Sequence, residues 1–337
     1  MGKLELGRFG LWTLGLDSHR HTEICAVARA IEEMGYGCLW VPDFVGRDPF
    51  VTASQILAAT QTLRVGTAVA SIHGRTPLAM AAAQRTLEVD FPGRFVLGVG
   101  ASHASLAQNL HQSPYAKPVS MLRNYLEGLD RAGAMLSIWP EGGQTSAGDQ
   151  IQRVGSGETT SHGVRIPRLI AGNGPHMMGL SKTHADGLIP VNSPDEQTIR
   201  ARLAIGPDKF LLSGATVMME ADPIKARSVA RRHIAGSLAL PNYSNNVRRF
   251  GFADDDFRNG GSDRLVDALV AWGDVDSISA RLQSHFEKGA DHVSITMIPT
   301  HGILLDEWRR LAEALNIKGG RFKSVDVTSH LAPSSTV

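Results

Sequence analysis

Short apolar runs alternate with longer amphipathic segments along most of the chain. Residues 6–13 read as a first buried strand, and 22–34 carry Ile24, Val27, Ala28 and Ile31 at helical spacing. Gly35 closes that helix, as glycine commonly does just past a helix end. The pattern repeats with a strand at 37–41 stopped by Pro42, a helix at 50–60 and a strand at 63–70. A helix then runs to about residue 90, opened by Thr76 as a cap with Pro77 in its first turn. A fourth strand follows at 94–100. Beyond it the rhythm loosens. Residues 101–118 read as a long loop and 119–136 as a long helix, and 140–163 is a Gly, Ser and Thr-rich stretch expected to form a mobile loop. A fifth strand falls at 167–171, a helix at 175–184, strands at 186–191 and 211–219, and a helix at 223–240. Residues 242–273 read as an inserted, partly helical segment. A helix at 275–289, an eighth strand at 292–298 and a helix at 304–315 close the pattern and leave a polar tail, 317–337, expected to be loosely held.

Eight strands in near-regular alternation with helices imply a parallel sheet. In a chain of 337 residues they predict one domain over 1–316, a (β/α)8 TIM barrel with insertions, in preference to an open doubly wound sheet. Composition narrows the function classes. Lys plus Arg (34) nearly cancels Asp plus Glu (33), so no basic footprint for nucleic acid is present. No apolar run is long enough to span a membrane. Cys25 and Cys38 lie inside periodic segments and read as reduced core thiols, which points to the cytoplasm. The chain lacks GxxxxGK[ST], HExxH and paired CxxC motifs, which argues against phosphate-loop nucleotide hydrolysis and a zinc site; no metal is expected.

In such barrels the chemistry sits on the loops that follow the strands. After the second strand, Asp43 is either a turn aspartate or a carboxylate at the mouth. The third strand ends in small residues, Ala68-Val69-Ala70, followed by His73, which either meets a ligand or caps its loop. The fourth ends Gly98-Val99-Gly100-Ala101-Ser102-His103. This is an incomplete GxGxxG string with no acidic residue where a nicotinamide site needs one. It reads better as a flat loop for a planar ring with His103 beside it. After the fifth strand comes Gly172-Asn173-Gly174-Pro175-His176. Its glycines can turn N–H groups inward, and the helix that Pro175 opens offers a positive end to a phosphate. The alternative there is an ordinary turn.

Four stretches carry a resemblance: Glu33 to Asp43 (EMGYGCLWVPD), Ala58 to Ala81, Pro92 to Gly100 (PGRFVLGVG), and Ala171 to Pro175 with Ala185-Asp186-Gly187. Together with Leu240 to Asn246 and Gly261 to Ala268, they resemble the bacterial-luciferase-like oxidoreductases, most of all the actinobacterial members dependent on the deazaflavin coenzyme F420. The resemblance implies a barrel that carries a deazaflavin or flavin and exchanges a hydride with a small organic substrate. It implies a bulge with a non-proline cis peptide at Ala68-Val69 under the ring, Gly100 to His103 beside the ring, and Gly172 to Gly174 at the phosphate. It also makes a homodimer plausible. Two departures stand out. Asp43-Phe44 replaces an acidic residue followed by histidine, and His103 stands where sugar-phosphate dehydrogenases of the class carry glutamate. An FMN-dependent monooxygenase fed by a flavin reductase and a non-catalytic cofactor-binding barrel are the competing expectations. His103, His73 and Asp43 are the expected proton-handling residues.

Overall fold

The computed structural model describes residues 4–44, 46–137, 167–298 and 303–317. Its strands are β1 (Phe9–Trp12), β2 (Cys38–Val41), β3 (Arg64–Thr67), β4 (Ala70–Ser71), β5 (Phe95–Gly100), β6 (Arg168–Ala171), β7 (Gly187–Ile189), β8 (Phe210–Met218), β9 (Val270–Trp272) and β10 (His292–Met297). The helices are α1 (His21–Glu33), α2 (Pro49–Ala59), α3 (Pro77–Asp90), α4 (Ala104–Asn109), α5 (Pro118–Ser137) and α6 (Pro175–His184). They continue with α7 (Glu196–Ile205), α8 (Pro223–Leu238), α9 (Pro241–Arg248), α10 (Asp263–Leu269), α11 (Val275–Glu287) and α12 (Leu305–Ala314).

The strands pair in parallel, and β10 closes the ring by joining both β1 and β8. β4 prolongs β3 along β5, and β9 lies along the end of β8 beyond β7, so eight staves form the barrel. This is the expected (β/α)8 architecture. Alternation along the strands sorts two cores. Cys38, Trp40, Val96, Leu169, Phe210 and Leu212 fill the inside of the barrel. Leu39, Val41, Val65 and Leu97 face outward onto Ile24, Ile31, Ile56 and Leu57 of the helix layer.

The closed end of the barrel is a set of polar groups that satisfy one another. Trp40 Nε1 donates to His292 Nε2 at 3.0 Å, and His292 Nδ1 donates to the Gly7 carbonyl at 2.8 Å. A Cβ at Gly66 would overlap the Trp40 ring, so only glycine lets the indole lie across the floor. Burial pushes the His292 imidazole down to about 4. Arg94, in the PGRF string, donates to the carbonyls of Leu57, Thr60 and Leu63 and to Thr60 Oγ1, tying the end of α2 to the start of β3.

The pattern was incomplete in four places. The expected strand 63–70 is broken. Val65 and Gly66 pair with Phe95 and Val96, whereas Ala70 and Ser71 pair with Val99 and Gly100, so β3–β4 spends one more residue than β5 over the same span. This is a bulge, and the Ala68–Val69 peptide within it is cis. The expected loop 101–118 contains α4, a short helix without strong periodicity. Helix α7 follows β7 where no helix was anticipated. The segment 242–273 holds α9, a 3-10 turn and α10, but it also ends in strand β9, which the three-residue run could not announce. The stretches 140–163 and 318–337 lie outside the described residues.

Candidate active site

A cavity of about 720 Å³ opens at the carboxyl ends of the strands. Its inner wall is the bulge. Ala68 and Val69 line it, and Trp12 Nε1 holds the Ala68 carbonyl at 2.8 Å. Ala70 does not line it. It is fully buried in β4, paired with Val99 inside the wall, because the extra residue at 67–69 turns Ala68 and Val69 toward the cavity, and the alternation after it turns Ser71 there and Ala70 away. Beside the bulge, on the neighbouring strand β5, lies Gly100. A Cβ there would stand 2.9 Å from Val69 Cγ2 and 3.3 Å from Ala171 Cβ, so the absence of a side chain keeps this wall flat.

The next three residues are each gripped by a different element. His73 Nε2 donates to the Ala101 carbonyl at 3.2 Å, and Tyr115 Oη donates to the Ser102 carbonyl at 3.1 Å. His103 Nδ1 donates to Asn242 Oδ1 at 2.9 Å, and its ring lies 5.1 Å from that of Tyr243. Ser102 adopts φ +58°, a left-handed conformation unusual for serine, within this grip. Ala101, Ser102 and His103 all line the cavity. Burial pushes the His103 imidazole below its ordinary value, with the Asn242 bond acting the other way.

His73 therefore has a different place from the one expected. With Nε2 spent on Ala101, its Nδ1 accepts from Ser113 Oγ at 2.8 Å, so both ring nitrogens are occupied. It stands behind the loop and not in the cavity wall. Burial lowers its pKa, the Ala101 bond opposes this, and His111, stacked beside it, lowers it further. Asp43 does line the cavity, but its Oδ2 accepts from Ser71 N at 2.9 Å and from Arg75 Nη1 at 2.8 Å. Arg75 also reaches Asp48, the cap of α2. The carboxylate is thus a fastening between β2, β4 and α2. Phe44, in the place of the family's histidine, lines the mouth with 55% of its surface exposed.

Gly172, Asn173, Gly174, Pro175 and His176 form the opposite corner of the cavity. Asn173 sets its shape: Nδ2 donates to the Val191 carbonyl and Oδ1 accepts from Val191 N, bridging the ends of β6 and β7. Gly174 is the cap residue of α6, and no side chain caps that helix. The Arg249 guanidinium stands over it, with Nη1 3.3 Å from where a Gly174 Cβ would be. Its side-chain partner is the Asn246 amide oxygen, at 3.4 Å, and among the described residues no carboxylate pairs with it. An uncapped helix start and a guanidinium that no carboxylate of the described residues neutralises meet in one concave corner, which is the electrostatics a phosphate requires.

Asp195, Arg281 and His285 line the far side of the cavity, yet their bonds turn inward on the protein. Arg281 grips Asp195 through Nε and Nη2 and donates to the carbonyls of Asp267, Ala268 and Val270 at the end of α10. Burial works against the Asp195 carboxylate, but the bond to Arg281 and the nearby positive charges hold it below the usual range. This cluster fastens the inserted segment to α7. Among the described residues no group of three or more His, Cys, Asp or Glu side chains could hold a metal ion. No helix among them is long and apolar enough to cross a membrane.

A sequence profile of the luciferase-like monooxygenase family matches residues 5–292. The chain belongs to that family. It is 27% identical over 201 residues to a Mycobacterium tuberculosis protein named as a coenzyme F420-dependent oxidoreductase. The match covers 56% of this chain and 54% of that protein, so the chain spans about half the length of this relative. In structure it is similar to the F420-dependent tetrahydromethanopterin reductase of Methanopyrus kandleri, with a TM-score of 0.68 at 15% identity over 94% of this chain and 99% of that one. The EDTA monooxygenase of Chelativorans sp. BNC1 superposes equally well, with a TM-score of 0.68 at 12% identity over 95% and 97% of the two chains. These likenesses concern the fold.

Reasoning from the sequence missed Asn242, Tyr243 and Arg249. All three belong to the inserted segment, which carried no strand end by which to aim them at the mouth. The one available signal was the Leu240 to Asn246 string, recognised as family-like but not assigned a role.

Proposed function

We propose that this luciferase-family protein is an oxidoreductase that binds the deazaflavin coenzyme F420 and exchanges a hydride with a small organic substrate at a C=C, C=N or C=O bond. The observation that carries this reading is the cavity's two-ended chemistry: a flat, small-residue wall where Val69 packs against Gly100, and the Gly174–Arg249 corner suited to a phosphate. That wall offers a flat face to a planar tricyclic ring, because Gly100 adds no Cβ beside Val69. When bound, the deazaflavin supplies the hydride chemistry, and the protein's part is placement and proton handling.

His103 takes up or returns the proton that accompanies hydride exchange, with its imidazole neutral near pH 7 because burial holds it low. Ala68 and Val69 support one face of the ring, and Gly100 to Ser102 flank its edge. Gly172, Gly174 and His176 surround the phosphate, with Arg249 as its counter-charge; Asn173 and Pro175 shape that corner. Asp43, in the cavity wall, and His73, behind it, act as fastenings for β4 and for the ring loop. Phe44, Leu106 and Val119 add apolar surface to the cavity for the substrate beside the ring.

The test is a side-by-side titration of purified protein with F420 and with FMN. Binding of F420 in preference to FMN, followed by anaerobic turnover, supports the reading. A second reading, an FMN-dependent monooxygenase served by a flavin reductase, draws on the equal likeness to the EDTA monooxygenase. Preferential FMN binding with oxygen uptake would select it, and binding of neither would leave a barrel of another specificity.

A further inference from the structure

We infer that Asn242 is a positioning residue that fixes the proton of His103 on Nδ1 and so presents Nε2 as the basic nitrogen of the site. The inference rests on the reading of His103 as the proton carrier. Its geometry, however, stands on the ligand-free protein.

A neutral imidazole carries one proton, and the hydrogen bond made by one nitrogen decides which nitrogen holds it. The Asn242 amide oxygen only accepts. At 2.9 Å from Nδ1 it demands the proton there, and the lone pair falls to Nε2. His73 provides the internal contrast. Its Nε2 faces a carbonyl, so its proton sits on Nε2, and its Nδ1 lone pair is consumed by Ser113. Among the described residues, one of these two histidines that grip or flank the ring loop has no free nitrogen, and the other keeps Nε2 free.

The orientation of His103 is fixed from three sides. Its backbone is the cap residue of α4, Tyr243 lies against its ring at 59°, and Tyr115 anchors the preceding carbonyl. Asn242 and Tyr243 are adjacent in the first turn of α9, so one helix start delivers both the acceptor and the packing ring. The titratable groups on the packed elements are the Tyr243 phenol, pushed up by burial and bonded to Asn192, and the Tyr115 phenol, also pushed up by burial. Both are uncharged near neutral pH. The amide is therefore the principal polar influence on the ring. An aspartate in its place would put a negative charge against Nδ1 and favour the imidazolium, whereas an alanine would release the tautomer.

The experiment is nitrogen-detected imidazole NMR of the ligand-free protein, selectively labelled on histidine, across pH. It compares the native chain with Asn242→Asp, Asn242→Ala and His103→Gln, the last to assign the resonance. The native protein is expected to show His103 protonated on Nδ1 in its neutral form. Asn242→Ala is expected to move the proton toward Nε2, and Asn242→Asp to raise the titration midpoint, with circular dichroism unchanged. If turnover with F420 is found, Asn242→Ala should lower kcat with little change in KM, and Asn242→Asp should shift the acidic limb of the kcat profile upward. A native His103 protonated on Nε2, or a tautomer and midpoint indifferent to both substitutions, overturns the inference. Failure of F420 or FMN to bind would overturn the cofactor reading and leave this result intact.

Discussion

The two ends of the barrel treat polar groups in opposite ways. At the closed end, His292 is consumed by Trp40 and Gly7, and Arg94 spends its donors on the carbonyls and hydroxyl around it. Among the described residues of the open end, Arg249 faces a helix start with no carboxylate partner, and His103 uses one nitrogen and keeps the other. Buried polar groups cost stability unless paired, so a complete set of bonds marks a structural device. Groups left with spare capacity at a cavity wall mark the surface meant for something else. The same contrast divides the two histidines by the mouth: among the described residues His73 bonds through both ring nitrogens and His103 through one.

The sharpest way to break this comparison is His103→Ala. Turnover should fall by about 100-fold or more, the range lost with a general acid or base, while F420 affinity and melting temperature stay close to native. Unchanged turnover would remove His103 from the chemistry. At the closed end, Arg94→Ala should do the reverse. It leaves several carbonyls unpaired and should cost roughly 3 kcal/mol of unfolding free energy by urea titration. Cofactor affinity of the protein that remains folded should not change.

The closed end should also set the acid lability. His292 is held down to about 4 in the fold against an ordinary value of 6.5. Its neutral state favours folding above 6.5, and that contribution is lost as pH falls from 6.5 toward 4. The loss amounts to about 3 kcal/mol, since each pKa unit is about 1.4 kcal/mol. Urea midpoints measured through that window should fall on acidification, and more steeply than in a His292→Gln variant. The phosphate corner should respond next. Arg249→Gln should weaken F420 binding by roughly 10- to 100-fold, the worth of a charge-assisted hydrogen bond, with no loss of stability. Equal weakening of a phosphate-free deazaflavin would contradict that placement. The smallest effect belongs to His73→Gln, which can still donate to Ala101. Turnover should drop by less than about tenfold, reflecting roughly 1 kcal/mol of loop support.

The amino-acid sequence alone determined the barrel. Period-two and period-3.6 hydrophobic patterns are local, and eight strand–helix units in a chain of this length leave few other ways to bury every apolar face. Strand ends were legible for the same reason, so Asp43, Gly100 to His103 and Gly172 to His176 were found as mouth residues from chain position alone. What the pattern did not carry was decided by tertiary structure. The bulge displaced Ala70 from the wall because one extra residue in β3–β4 shifts every side chain after it. His73 and His103 look alike in the sequence, and only their partners, Ser113 and Ala101 for one and Asn242 for the other, separate a fastening from a free base. Arg249 and Asn242 reach the mouth from an irregular insertion. No periodicity aims such a segment, and only its packing against α7 and α8 brings those side chains to the cavity.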